Sequence, residues 1–149
     1  MTGVTSSTIF SNSWQVMFDF LEAQLTDPSS RSAKWIYGGF PDSRIDDKTA
    51  YPLIVLNPVV VMPQKLTFSK RKNLVRFSID IYTTNPNHLD SIADEIIYDV
   101  EHNINTFHTN HLWKTNSDPT TSYPSALPRA GFNVKHRAVN FEFMFTCAR

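Results

Sequence analysis

The chain has 149 residues, with fourteen Lys and Arg against fourteen Asp and Glu, 41% hydrophobic residues and 13% aromatic residues. A single ordinary domain, rich enough in apolar side chains to fold unaided, accounts for such a chain; disorder does not. A net charge of +0 excludes gripping nucleic acid through bulk charge, and the lone cysteine, Cys147, excludes an intrachain disulfide and a cysteine-built zinc site.

The first basic residue is Arg31, so no charged region leads into an apolar stretch as in a secretory signal. The longest apolar runs, 53–56 and 59–62, are far too short to span a bilayer. The expectation is assembly in a cytosol-like compartment without membrane contact.

Residues 9–25 predict a helix. Phe10, Trp14, Met17, Phe18, Leu21 and Leu25 recur at spacings of three and four, which places them on one face as core. Thr8 or Ser11 can cap its start, and Asp27-Pro28 ends it, because the residue before a proline avoids the helical region. Residues 34–37 predict a short strand closed by Gly38-Gly39. Residues 53–61 predict a strand with a kink at Asn57-Pro58, since proline cannot donate to a central ladder.

Strands at 65–69 and 74–83 predict a hairpin, with Lys70-Arg71-Lys72-Asn73 as its turn. In the second arm Val75, Phe77, Ile79 and Ile81 alternate with Arg76, Ser78, Asp80 and Tyr82, the period of a strand with one buried face. A second helix is predicted over 86–105. Asn85 is its N-cap and Pro86 its first residue, and Leu89, Ile92, Ala93, Ile96, Ile97, Val100 and Ile104 form the apolar face. Residues 106–130 carry Pro119, Pro124 and Pro128 and predict a long polar loop. A final strand over 132–147 buries Val139, Phe141, Phe143 and Phe145. The order α-β-β-β-β-α-β makes an α+β domain over residues 1–149: a mostly antiparallel sheet with two amphipathic helices packed on one face.

Chemistry is sparsely signalled. His102, His108, His111 and Asp118 are near one another in sequence, but no metalloenzyme spacing surrounds them, and fraying helix-end polar residues account for them. No GxSxG occurs, and Cys147 lies in a strand-like segment, so no nucleophile is expected. The paired carboxylates of the second helix diverge instead of converging, and no glycine-rich phosphate loop is present. The expectation is a protein that is not an enzyme, with no catalytic, cofactor or metal residues.

Charge is segregated along the chain. Lys48, Lys65, Lys70, Arg71, Lys72 and Arg76 occur with no acid among them, and seven acids with one base, Lys114, occupy 80–118. Three readings stay open. The basic hairpin of one copy meets the acidic helix of the next, as heterologous contacts that close a ring do. The hairpin tip instead touches nucleic-acid backbone, or it is a solvated turn. The first two make Lys70, Arg71 and Lys72 candidate interface or lumen residues. Asp94, Glu95 and Glu101 are the candidate partners in a ring.

In element order the chain resembles the tail terminator and tail-completion (head–tail joining) proteins of tailed bacteriophages. The resemblance rests on an amphipathic first helix, KWIYGGFP ahead of YPLIVLNP, the phrase RFSIDIYTTNPNHLDSIADEIIYDV, and NFEFMFT in the last strand, and covers about residues 9–147. It implies a structural virion protein of the tail or neck, assembled in the host cytoplasm. Such a protein forms a homo-oligomeric ring, most often a hexamer, at the head-proximal end of the tail tube. There it stops tube growth and joins tail to head. Its partners would be itself, the tail tube protein and the head–tail connector. Genomic DNA would pass through the lumen without sequence-specific binding. The family implies no catalytic, metal or cofactor residue, and the 106–130 segment departs from its shortest members. Two other readings are a head-closure or connector protein of the neck, and a small cytosolic ligand-binding α+β domain with a pocket near Trp35, Tyr37 and His136.

Overall fold

The computed structural model describes residues 4–5, 7–65, 70–115, 118–126 and 133–148, without the side chains of 65, 70, 71, 147 and 148. Its elements follow as α1 (Ile9–Gln24), β1 (Ile36–Tyr37), β2 (Leu53–Leu56), β3 (Val60–Lys65), β4 (Lys70–Thr83), α2 (Pro86–His102), α3 (Ile104–Thr109), β5 (Trp113–Lys114), β6 (Thr120–Thr121), β7 (Ser125–Ala126) and β8 (Lys135–Ala148). Two short 3₁₀ turns, Asp42–Arg44 and Lys48–Ala50, lie between β1 and β2. The fold is α+β with one mostly antiparallel mixed sheet; β1, parallel to β2, supplies the parallel pair.

The long central pair organises everything else. β4 and β8 run antiparallel in unbroken register, from Lys70 opposite Ala148 to Thr83 opposite Lys135. Their odd-numbered residues Val75, Phe77, Ile79, Ile81, Val139, Phe141, Phe143 and Phe145 enter one core cluster, as the alternation predicts. Phe77 meets Phe143 edge-on at 5.7 Å, and Phe107 stacks on Phe143 at 4.8 Å. Burying each such ring stabilises the fold by about 1.5–3 kcal/mol. The buried residues of α1, α2 and α3 join the same cluster, so all three helices lie on one face of the sheet.

α2 forms as its sequence predicts. The Asn85 side chain accepts from Asn87 N at 3.0 Å, Pro86 occupies the first turn, and Leu89, Ile92, Ala93, Ile96 and Val100 are buried. The helix stops at His102 rather than 105. Asn103 has left helical geometry (φ −115, ψ 30), and α3 starts afresh at Ile104.

The face of α1 differs from the expected one. Its core residues are Ile9, Ser13, Val16, Met17, Phe20 and Leu21, while Phe10 is 62% exposed and Trp14 and Phe18 are half-buried. The two rings stack on each other at 4.7 Å, and Trp14 Nε1 donates to Leu56 O at 3.2 Å, along the rim of the helix. A period of 3.6 locates an apolar stripe but not its centre; here Phe10, Trp14 and Phe18 line the border, and Ile9, Val16, Met17, Phe20 and Leu21 fill the middle. Thr8 sits at the N-cap, but its hydroxyl bonds with Thr5 and Asn12 and makes no cap bond.

The strand boundaries also need correction. The predicted turn at Lys70–Asn73 does not stand, for Lys70–Asn73 are the first residues of β4; the strand paired with them is β3, Val60–Lys65, and the predicted arm 65–69 lies, apart from Lys65, outside the described residues. Arg71 pairs with Lys65 on one side and Cys147 on the other, so β8 extends the ladder beyond the hairpin partner. The connection between the arms, 66–69, lies outside the described residues.

β2 and β3 lie end to end along the same side of β4, both antiparallel to it, with β1 flanking β2. Leu56 faces Ile79 but Val60 faces Arg76, so 57–59 oppose only two residues, and the proline kink is a one-residue bulge.

Within 106–130 the expected loop is replaced in part by structure. α3 continues to Thr109, Leu112 is fully buried, and β5, β6 and β7 pair in turn with Met144–Phe143, Asn140–Val139 and His136–Lys135. Three two-residue strands along one long partner leave no periodicity for a sequence pattern to show.

Candidate functional site

The even-numbered residues of β4 and β8 point away from the helices. At one end of that face the 37–55 region covers them with a second cluster of Ala50, Tyr51, Leu53, Val55 and Val134, against which Tyr37, Phe40 and Tyr82 pack. This cover is held by Arg31. Its guanidinium donates to both carboxylate oxygens of Asp27 (2.8 and 3.1 Å) and to the carbonyls of Thr49, Ala50 and Pro52. Burial alone would raise the Asp27 carboxyl, but the bonds from Arg31 and Ser29 outweigh it and hold the group below the usual carboxylate range.

The other end of the face carries no helix. From β3 across to β8 its rungs are Met62–Leu74–Met144, Val60–Arg76–Glu142 and Ser78–Asn140, with Trp113 of β5 opposite Met144 and Thr120 of β6 opposite Asn140. Arg76 Nε donates to Glu142 Oε2 at 2.9 Å in its middle. Val60 (56%), Trp113 (46%) and Met62 (38%) are exposed. Arg76, Ser78, Asn140 and Glu142 form the floor of a cleft of about 520 Å³, walled by Pro58 and Val60 on one side and Asp118 and Thr120 on the other.

Beside this cleft runs a polar chain across three strands. Asn57 Nδ2 donates to Asp80 Oδ2 at 2.7 Å, His136 Nε2 donates to Asp80 Oδ1 at 2.8 Å, and Ser125 Oγ lies 3.2 Å from His136 Nδ1. The imidazole stacks on Tyr82 at 4.8 Å. Desolvation pushes the Asp80 carboxyl up, yet the bonds from His136 and Asn57 prevail and hold it below its ordinary value. A hydroxyl–imidazole–carboxylate chain can activate a nucleophile. Here Ser125 sits directly opposite His136 in a strand ladder, not on a sharp turn that would thrust its oxygen into a cleft. The chain's evident work is to fasten β7 and the β2–β3 bulge to the central pair.

The six candidate interface residues are distributed as follows. Lys70 and Arg71 lie at the start of β4, their side chains outside the described residues; Lys72 is half-buried, opposite Gln64 and Thr146. Asp94 is exposed on α2. Glu95 Oε1 accepts from Thr26 N at 3.1 Å, and Glu101 pairs with Lys114. Two of the three acids therefore hold partners within the subunit. Lys72 shares the helix-free side with Leu74 and Arg76, whereas α2 packs on the other side, so the sheet stands between Lys72 and the acidic helix.

The histidines go to separate places. His102 stacks on Tyr98 (3.7 Å), His108 lies against Trp113 (4.5 Å), and His111 takes a positive φ of 67°. Among the described residues no three His, Cys, Asp or Glu side chains are grouped to hold a metal ion. Trp35 packs with the helix-side core, but Tyr37 packs with the cluster beneath the 37–55 cover and His136 stacks on Tyr82, so the three do not line one pocket. Alternation along β4 and β8 puts Arg76, Ser78, Asp80, Asn140, Glu142 and Met144 at outward positions, and the β4–β8 register decides which of them meet.

No protein-family model matches the sequence, and no curated protein is significantly similar to it. No helix among the described residues is long and apolar enough to cross a membrane.

Proposed function

We propose that the chain is a structural virion protein of the tail-terminator kind: a subunit of a ring that closes the head-proximal end of a tail tube, stops its growth and joins it to the head. The supporting observation is the slab built on β4 and β8, two 14-residue strands backed by helices on one face and, among the described residues, carrying no helix over half of the other. Such a slab offers broad surfaces and free edges for neighbours. The amphipathic first helix, the β4–α2 succession and the aromatic last strand on which the resemblance rests support the reading, although α3 and β5–β7 stand between α2 and β8 beyond the expected order. Lys72 on the helix-free side and exposed Asp94 on α2 across the sheet suit head-to-tail contacts, because the sheet separates them within one subunit. On this reading the partners are further copies of the chain, the tail tube protein and the head–tail connector, with DNA crossing the lumen. A head-closure ring of the neck would use the same surfaces toward a different neighbour.

The test is imaging the purified protein by negative stain, alone and with polymerising tail tube protein encoded in the same genome. Closed rings, and tubes that stop growing with one end capped, are expected. A protein that forms no ring and leaves tube length unchanged overturns the reading. A second reading, a ligand-binding domain, draws on the 520 Å³ cleft with its Arg76, Ser78, Asn140 and Glu142 floor. Saturable binding of a small polar molecule, abolished by Ser78→Trp, would favour it.

A further inference from the structure

We propose that the half of the sheet face that carries no helix among the described residues pairs face to face with the same surface of a second copy, about a two-fold axis running between β4 and β8 along the strands. The register carries the inference. Such an axis maps each residue of β4 onto its cross-strand partner in β8 of the other copy. Three successive rungs of this face are complementary under that exchange. Leu74 falls on Met144, both apolar; Arg76 falls on Glu142, cation on anion; Ser78 falls on Asn140, both hydrogen-bonding. The outer strands obey the same rule, with Met62 of one copy reaching toward Trp113 of the other. The exposed apolar groups Met62 and Trp113 thereby leave water together.

Charge complementarity distinguishes this occupant from others. Each copy has one cation and one anion beside the axis, 2.9 Å apart, so stacking the pair on its inverted twin produces an alternating square of four charges with no like-charge contact. Sheets packed this way lie about 10 Å apart with strands within about 30° of one another, so the rungs nearest the axis stay in register. The size sets the strength. Four strands by about six residues is roughly 19 Å by 20 Å, a small interface of the kind that associates weakly. A concentration-dependent dimer in the micromolar range is expected. The pairing is isologous and centred on the Arg76–Glu142 rung, away from Asp94 on the helix side, so it does not depend on the ring contacts proposed above.

The test uses charge reversal and mixing, read by sedimentation velocity across the micromolar range. Arg76→Glu and Glu142→Arg should each weaken self-association about tenfold or more, since each puts four like charges at the axis. An equimolar mixture of the two variants should dimerise again, because the two acidic positions of one copy then meet the two basic positions of the other. Should either single variant fold poorly, the double variant R76E/E142R keeps the pair inside the subunit and should dimerise like the parent. In a Cys147→Ser background, spin labels at Ser78→Cys should then lie within about 20 Å across the dimer, given the sheet spacing. A parent that stays monomeric at concentrations on the order of 100 μM, where weak interfaces of this size are populated, overturns the proposal. So does a mixture no tighter than its components, or labels beyond that distance. Failure of tube capping would sink the terminator reading and leave the mixing result untouched.

Discussion

His136 Nε2 and Asp80 Oδ1 lie 2.8 Å apart as a diagonal pair across the two central strands, for His136 is directly opposite Tyr82 and Asp80 opposite Ala138. Asn57 occupies the other carboxylate oxygen at 2.7 Å, so one aspartate ties β8 to the bulge that separates β2 from β3. The Asp80 carboxyl is lowered in the folded protein, hence the ionised form binds the fold better than the protonated form does. Its contribution is present above the ordinary aspartate value and is lost as pH falls through the lowered one.

Asp80→Asn should therefore reduce stability by about 1–3 kcal/mol at neutral pH, the usual cost of leaving buried partners unpaired. The gap between variant and parent should close as pH falls below about 3.8, the ordinary Asp value, and through the lowered folded value. Urea unfolding of both proteins over a pH series measures it. A gap that persists unchanged in acid would show that Asp80 acts through shape and not through charge.

Arg31 reaches three carbonyls of the 49–52 stretch and the carboxylate of Asp27 from a single side chain that is 17% exposed. Arg31→Ala should cost about 2–4 kcal/mol and loosen the cover over Tyr51, Leu53 and Val55, because four acceptors lose their donor at once. Arg31→Lys should recover only part of that, since an ammonium cannot reproduce the planar fork. Amide exchange over 40–52 alongside thermal melts tests both statements; a lysine variant as stable as the parent would contradict the second.

Gly38 ends β1 against the indole of Trp14. A Cβ there would lie 2.9 Å from Trp14 Cζ2 and 3.2 Å from Cη2, inside normal contact. Gly38→Ala should push the ring off Phe18 and away from Leu56 O, at about 1–3 kcal/mol. Trp14→Phe should remove part of the clash, so the double variant should lose less than the sum of the single ones. Gly39, with open space around its Cβ position, is the control.

For the basic start of β4, reversing Lys70, Arg71 and Lys72 together to Glu should weaken ring assembly, more at low salt than at high salt. A single alanine should do little, since exposed pairs contribute about 0–1 kcal/mol each. Asp94→Lys is the cleanest compensating change. Glu95 and Glu101 already hold Thr26 N and Lys114, so reversing them would also disturb the subunit. The fraction of subunits in rings, across a salt series, is the readout. A triple variant that assembles as the parent does would reduce this strand end to a solvated surface.

Much of the fold is legible in the residue order because local periodicity reports burial directly. Val75-x-Phe77-x-Ile79-x-Ile81 and Val139-x-Phe141-x-Phe143-x-Phe145 could only be strands with one wet face, and Asn85-Pro86 with its apolar stripe could only open a helix. Those segments determine that a sheet is covered on one side by helices. What the sequence could not determine is whatever depends on partners distant along the chain. Lys70–Asn73 has the composition of a turn but is strand, because β8 supplies a second ladder from seventy-odd residues away. Thr120–Thr121 and Ser125–Ala126 are strands only because β8 lies beside them. The same holds for the candidate surface. Arg76 and Glu142 were each readable as outward-facing, but that they meet, and that the rungs around them complement their own inversion, follows from a register set by the packing of two strands whose matched residues are up to 78 positions apart.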